Sequence, residues 1–254
     1  MDNDIGGVWR TIGGRRVFIK TGQSLTDAMK KSGKFKVKRK EDNKYNDSYE
    51  SVEKATETYD LDSTATIDKR AKEFYDKIGY GEKPSKVSEA EFEKLAKESK
   101  YGVLERGYRG SSEEQIQGYI NQFKDGDLYI GMQRGFGAGT YFGYGKDAHA
   151  TAHRYGQQND KNILKATIDK NAKVVDSFDL QAKRNEYNQK AITKALELDK
   201  QGKHEEASKY FNKMNKIMVD DGVFAASLGY DAIDVKDAGY IVILNRKRVY
   251  VSER

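Results

Sequence analysis

The sequence predicts an α+β protein: split mixed and antiparallel β-sheets, flanking helices, and an inserted helical hairpin. Three observations predict it. Apolar residues recur at helical spacing through 63–100 and again through 112–123. Short β-branched runs separated by turn residues occupy much of 101–176 and return at 230–252. Between those strand-rich stretches lies a polar helical pattern, about 179–218.

The elements follow in order. In "GGVWRTIGGRRVFIKTG" (6–22), Val8, Ile12, Val17 and Ile19 are interleaved with polar residues and Gly13-Gly14 supplies a turn, so a hairpin is expected. A hairpin alone cannot bury a core. The chain is then polar and without apolar periodicity, which assigns 36–62 to a linker. Ile67, Ala71, Phe74 and Ile78 form a helical stripe that stops at Gly79. Past Pro84, the only proline, Ser88 and Glu91 make a capping-box pattern. "YGVLERGYRG" reads as a strand, "SSEEQIQGYINQF" as a helix capped by Ser111 or Ser112, "GDLYIGM" as a strand and "DAHATAHRYG" as a helix. "NILKATID" and "KVVD" are strands, and "YDAIDV", "GYIVILN" and "KRVYVS" close the domain. "ALELDKQGKHEEASKYFNKMNKI" resembles one tetratricopeptide helix pair. It has no second copy, so it is read as the inserted hairpin. The expected organisation is a basic docking segment (1–35), a linker (36–62), a helical region (63–100) and the α+β domain (101–254).

Composition narrows the function classes. There is no cysteine, which excludes disulfides and thiolate metal sites and suits a reducing compartment. No apolar run reaches the ~20 residues of a membrane helix, and no apolar leader is visible, so the cytosol is expected. The net charge of +6 is uneven: residues 1–40 carry 11 Lys/Arg against three acids, and the remainder 35 against 37. A basic head on a near-neutral body reads as a docking segment for an acidic protein surface or for nucleic acid, or as a solvated tail.

The stretch "GFGAGTYFGYG" (135–145) concentrates five glycines and three aromatics. Such a segment suits a pocket where backbone approaches a flat polar ligand and rings offer stacking faces. A phosphate-cradling P-loop fails, because Asp147 follows Lys146. A dinucleotide fingerprint is poorly matched, because Gly135, Gly137 and Gly139 are spaced by two. His149 and His153 have zinc-chelating spacing, but Ala150 stands where a zinc protease needs Glu, so a surface or packing role is expected and no metal site.

Three blocks resemble the ADP-ribosyltransferase superfamily. "GYRGSS" (107–112) is similar to its first core strand, which ends in Arg-Gly in the toxin branch. "FGAGTYFGYGKDAHATAHRYG" (136–156) is similar to its Gly-rich Tyr-Phe block, and "GYDAIDVKDAGYIVILNRKRV" (229–249) to its closing strands. The resemblance spans about 101–254. It implies NAD as substrate, with Arg109 holding phosphate or ribose, Gly110 facing the nicotinamide amide, Tyr141 and Tyr155 sandwiching the ring, and Ser111, Gly139 and Phe142 in the same site. The family's catalytic glutamate falls on Gly239, with Asp237 two residues earlier and on the same strand face if the strand extends that far; Asp234 and Asn245 are the other polar groups nearby. The N-terminal "WRTIGGRRVFIKTGQSLTDAMKKSGKF" resembles tails of phage minor head proteins. Together these imply a phage-encoded mono-ADP-ribosyltransferase acting on a macromolecular acceptor, protein or nucleic acid, in the host cytoplasm or carried in the virion, with a capsid component as partner of residues 1–40. The alternatives are a catalytically impaired NAD-binding or structural head-associated protein, and a nucleic-acid-modifying toxin.

Overall fold

A computed structural model describes residues 7–12, 15–20, 48–59, 67–126 and 135–253. The chain divides into two compact units, Met1–Asn46 and Asp47–Arg254. In the first unit β1 (Gly7–Ile12) pairs antiparallel with β2 (Arg15–Lys20), in a register that sets Trp9 opposite Phe18 and Ile12 opposite Arg15. The hairpin expected from alternation is present. Its Gly13-Gly14 turn, most of the basic head and the strand expected in "GDLYIGM" lie outside the described residues.

The second unit begins with a correction. Residues 48–58, assigned to the linker, form helix α1 (Ser48–Thr58), and Val52, Ala55 and Tyr59 are buried in the core. The buried stripe holds one aliphatic, Val52, beside Ala55 and Tyr59, so apolar periodicity is faint. Helix α2 (Ile67–Lys77) follows and ends ahead of Gly79, which has φ of +79°. After β3 (Ser85–Val87), helix α3 (Glu89–Glu98) is capped by Ser88, whose hydroxyl accepts from the Glu91 amide. Then come β4 (Leu104–Gly107), α4 (Glu113–Asp125, capped by Ser112), β5 (Thr140–Gly143), α5 (Ala148–Tyr155), β6 (Ile163–Ile168) and β7 (Val174–Asp176). The inserted pair is α6 (Ser177–Lys200) packed on α7 (His204–Met218), followed by a short helix, α8 (Asp221–Ser227), that the sequence reading did not separate. Strands β8 (Ala232–Val235), β9 (Tyr240–Ile243) and β10 (Val249–Ser252) close the chain.

Eight strands form one mixed sheet in the order β3-β10-β6-β4-β5-β9-β8-β7, with β3/β10 and β7/β8 parallel and the other pairs antiparallel. Alternation sends Ile233, Val235 and Val242 to a core shared with α1, α2, α6, α7 and α8. It sends Ala232, Ile241 and Ile243 to a second core with Ile116, Ile120 and Phe123 of α4. The sheet is nearly open in the middle: β4 meets β5 through one register pair, Glu105 with Gly143.

Parity then fixes what faces the opening. The Tyr108 amide donates to Asn162 O at 2.8 Å, so Tyr108 and Arg106 point their backbone groups at β6, and Glu105 and Gly107 point theirs at β5. Likewise the Tyr144 amide donates to Gly239 O, which leaves Tyr141 and Gly143 facing β4. The register runs on to Tyr141 opposite Gly107, yet those two residues are not paired. Arg106 bridges the gap from the side, donating from Nη1 to Tyr141 O at 2.8 Å.

Candidate functional site

A cleft of about 1080 Å³ occupies this opening. Its lining includes consecutive residues 105–109 and 141–148, together with Gly135, residues of α5 and the 236–240 turn. Consecutive strand residues point to opposite faces, so a cavity touching all of them runs edge-on between the strands. All three separated sequence blocks therefore reach one cleft.

Of the sequence-expected residues, Arg109, Tyr141, Phe142, Tyr155 and Asp237 line it, while Gly110, Ser111 and Gly139 do not. The first-motif position shifts with them. Strand β4 ends in Arg106-Gly107, and Arg109 stands beyond it, exposed, with its Cζ 5.8 Å from the Tyr155 ring centre. The sequence carries two Arg-Gly pairs three residues apart, and only the strand's endpoint separates them. Gly107 must be glycine for a packing reason: a Cβ there would lie 2.0 Å from Ala152 O and 2.5 Å from the Gly156 amide, where α5 crosses β4.

Ser111 serves α4, its amide and hydroxyl both bonding Gln115 Oε1. Gly139 is buried, and a Cβ there would lie 2.5 Å from Val242. Gly137, with φ of +77°, is pressed against the start of α8; a Cβ would lie 2.2 Å from the Gly222 amide and 2.5 Å from Asp220 Oδ1. Asp220 also accepts the Ala138 amide at 2.9 Å while capping α8. These two glycines let the chain pass close to α8 and β9. Tyr141 seals the loop, its hydroxyl donating to Gly137 O at 2.8 Å and accepting from the Phe136 amide at 3.1 Å. Burial pushes that phenol's pKa up, so it stays a neutral donor. Gly137→Ala is expected to cost about 3 kcal/mol in thermal or urea unfolding, from left-handed strain plus backbone collision. An unchanged melting temperature with lost ligand binding would return Gly137 to the site.

The third block also differs from expectation. Residues 236–238 are a 3₁₀ turn and β9 starts at Tyr240, so Asp237 is not on a strand face; it is an exposed carboxylate at the cleft mouth. Gly239, at the glutamate position, has φ of +68°, which disfavours any side chain there. Asp234 is buried and accepts from the hydroxyls of Tyr144 at 2.6 Å and Tyr101 at 3.0 Å; Asn245 donates to Asp231. Both are structural.

Sequence reasoning missed Arg106, Gly107 and Tyr240. The Tyr240 ring is half-buried in the cleft wall, 5.5 Å from Tyr141 and 6.1 Å from Phe136. A tyrosine opening an apolar strand carries no signal separating it from the core. The cleft is rich in cations: among the described residues, Arg106, Arg109, Lys146 and Arg154 have no carboxylate ion-pair partner, whereas Lys236 is paired with Asp176 at 2.6 Å. Glu105 is held by His149 Nδ1 at 2.8 Å, and Asp160 lies 3.6 Å from Nε2 of both His149 and His153. Those histidines fasten α5 to its neighbours. Among the described residues no cluster of three or more such side chains is arranged to hold a metal ion, and no helix is long and apolar enough to cross a membrane.

No protein-family model, curated protein or solved structure matches the chain.

Proposed function

We propose that the protein is an NAD-dependent mono-ADP-ribosyltransferase, phage-encoded, that passes ADP-ribose to a macromolecular acceptor and releases nicotinamide. The observation that carries the reading is the convergence of the three blocks on one strand-edge cleft. Guanidiniums there, without a carboxylate ion pair among the described residues, suit the NAD pyrophosphate. The outward amide and carbonyl of Gly107 are one donor and one acceptor side by side, the complement of a carboxamide. Tyr240, backed by Tyr141, offers a face to a flat ring. In the reaction the bond from ribose C1′ to nicotinamide breaks, its electron pair leaving with the nicotinamide. A lone pair of the acceptor forms the new bond at C1′, and the acceptor's proton passes to solvent or to a carboxylate. Asp237 is the exposed carboxylate that would offset the positive charge developing on the ribose. The basic head, net +8 over residues 1–40, fits a docking role toward an acidic particle component.

Purified protein is expected to release nicotinamide from NAD. Arg106→Ala is expected to weaken NAD binding about tenfold or more, the worth of a charge-assisted hydrogen bond. Titration calorimetry that shows no NAD binding to the wild-type protein would overturn the assignment. The vacant glutamate position at Gly239 favours a second reading, an NAD-binding protein without turnover; binding without nicotinamide release would establish it.

A further inference from the structure

At the rim of the cleft the exposed Tyr155 ring, 40% accessible, has two guanidiniums near it: Arg109 Cζ at 5.8 Å and Arg154 Cζ at 5.7 Å from its centre. Among the described residues neither arginine is ion-paired, and exposed Lys146 joins them on the same lining. The opposing charges on this rim are Asp147 and Asp237, with Lys236 already paired to Asp176.

We propose that this Arg109–Tyr155–Arg154 ladder is a docking surface for single-stranded nucleic acid, which makes an unpaired strand the acceptor class of the transferase reading on which this rests. Unpaired cations supply phosphate contacts, which any polyanion would use. The exposed ring adds what an acidic peptide has no use for, a flat face on which a base stacks and which guanidiniums flank. The crevice between β4 and β5 is open edge-on, so an unpaired base enters it and a stacked duplex does not. Two anchoring features thus point to the same ligand chemistry, phosphate on the rim and a planar base beside it.

The test is fluorescence anisotropy on the full chain with labelled oligothymidylate, a matched duplex and an oligoglutamate peptide. The basic head contributes phosphate contacts to every polyanion, so the readout is the difference between variants. Tyr155→Ala is expected to weaken single-strand binding about tenfold, as loss of one stacked base does, and to leave duplex binding unchanged. Arg109→Ala and Arg154→Ala are each expected to lower the salt slope for the single strand by about 0.7, one phosphate contact. All three side chains are exposed, and unchanged melting temperatures will show that the fold is kept. The proposal is overturned if Tyr155→Ala has no effect on the single strand, if it weakens duplex binding equally, or if the arginine variants weaken oligoglutamate as much as oligothymidylate. Nicotinamide release from NAD, read without oligonucleotide on the same wild-type preparation, reports the transferase reading separately: strand binding without release leaves the ladder standing and removes the transferase.

Discussion

Arg246→Ala is expected to be the most destabilising single substitution in the sheet-bearing unit. The side chain is 1% exposed and donates to five backbone carbonyls: Glu82 from Nε, Gln122 and Phe123 from Nη1, Gly81 and Gly126 from Nη2, at 2.6–3.1 Å. Carbonyl dipoles hold the buried guanidinium, three of them at the negative end of α4. Truncation removes the donor from all five carbonyls, of which only the Phe123 bond is fully buried. Each stranded acceptor costs about 1–3 kcal/mol, so even with partial rehydration a total of about 4 kcal/mol or more is expected. That corresponds to a fall in melting temperature of roughly 8–16 °C at this chain length. Arg246→Lys keeps the charge but offers three donors to five acceptors, so it should fall between. A melting temperature for Arg246→Ala within about 2 °C of wild type would show that water replaces the guanidinium at little cost.

Gly107→Ala should come second and should reach the cleft as well as the fold. The atoms a Cβ would strike, Ala152 O and the Gly156 amide, belong to backbone at the end of α5 and cannot rotate away. Relief requires α5 to lift off β4, at about 3 kcal/mol for a collision of this kind. Because α5 carries Arg154 and Tyr155 to the rim, NAD affinity should fall in the protein that remains folded. Gly110→Ala is the matched control. There a Cβ meets side chains rather than backbone, the Gln115 oxygen at 2.8 Å and Ile116 Cγ1 at 3.1 Å, so a smaller loss of about 1 kcal/mol should follow as the Ser111–Gln115 bonds adjust. If Gly110→Ala abolished NAD binding and Gly107→Ala did not, the Arg109-Gly110 pair would be the working one.

Local chemistry made much of the molecule legible. Ser88 and Ser112 cap their helices because a hydroxyl placed before an amphipathic run has nothing better to bond than the exposed amides of the first turn. The closing strands read correctly because alternation at Ile241, Val242 and Ile243 serves two cores at once. Helix α1 was lost because Val52 is the one branched aliphatic in its buried stripe, too few to mark a helical period. The glycine-aromatic segment divides: Gly135, Tyr141, Phe142 and Gly143 line the cleft, while Gly137 and Gly139 pack against α8 and β9.

The sequence by itself determined the α+β class, the caps, the order of most elements and the three blocks that meet at the cleft. These follow from residue spacing, a property of neighbours along the chain. Only the tertiary structure decided which Arg-Gly pair ends β4, that Asp237 sits in a turn rather than on a strand, and that β4 and β5 touch at a single pair. Those depend on where strands stop and which edges find a partner, and pairing energy comes from residues distant in sequence, so no local pattern records it.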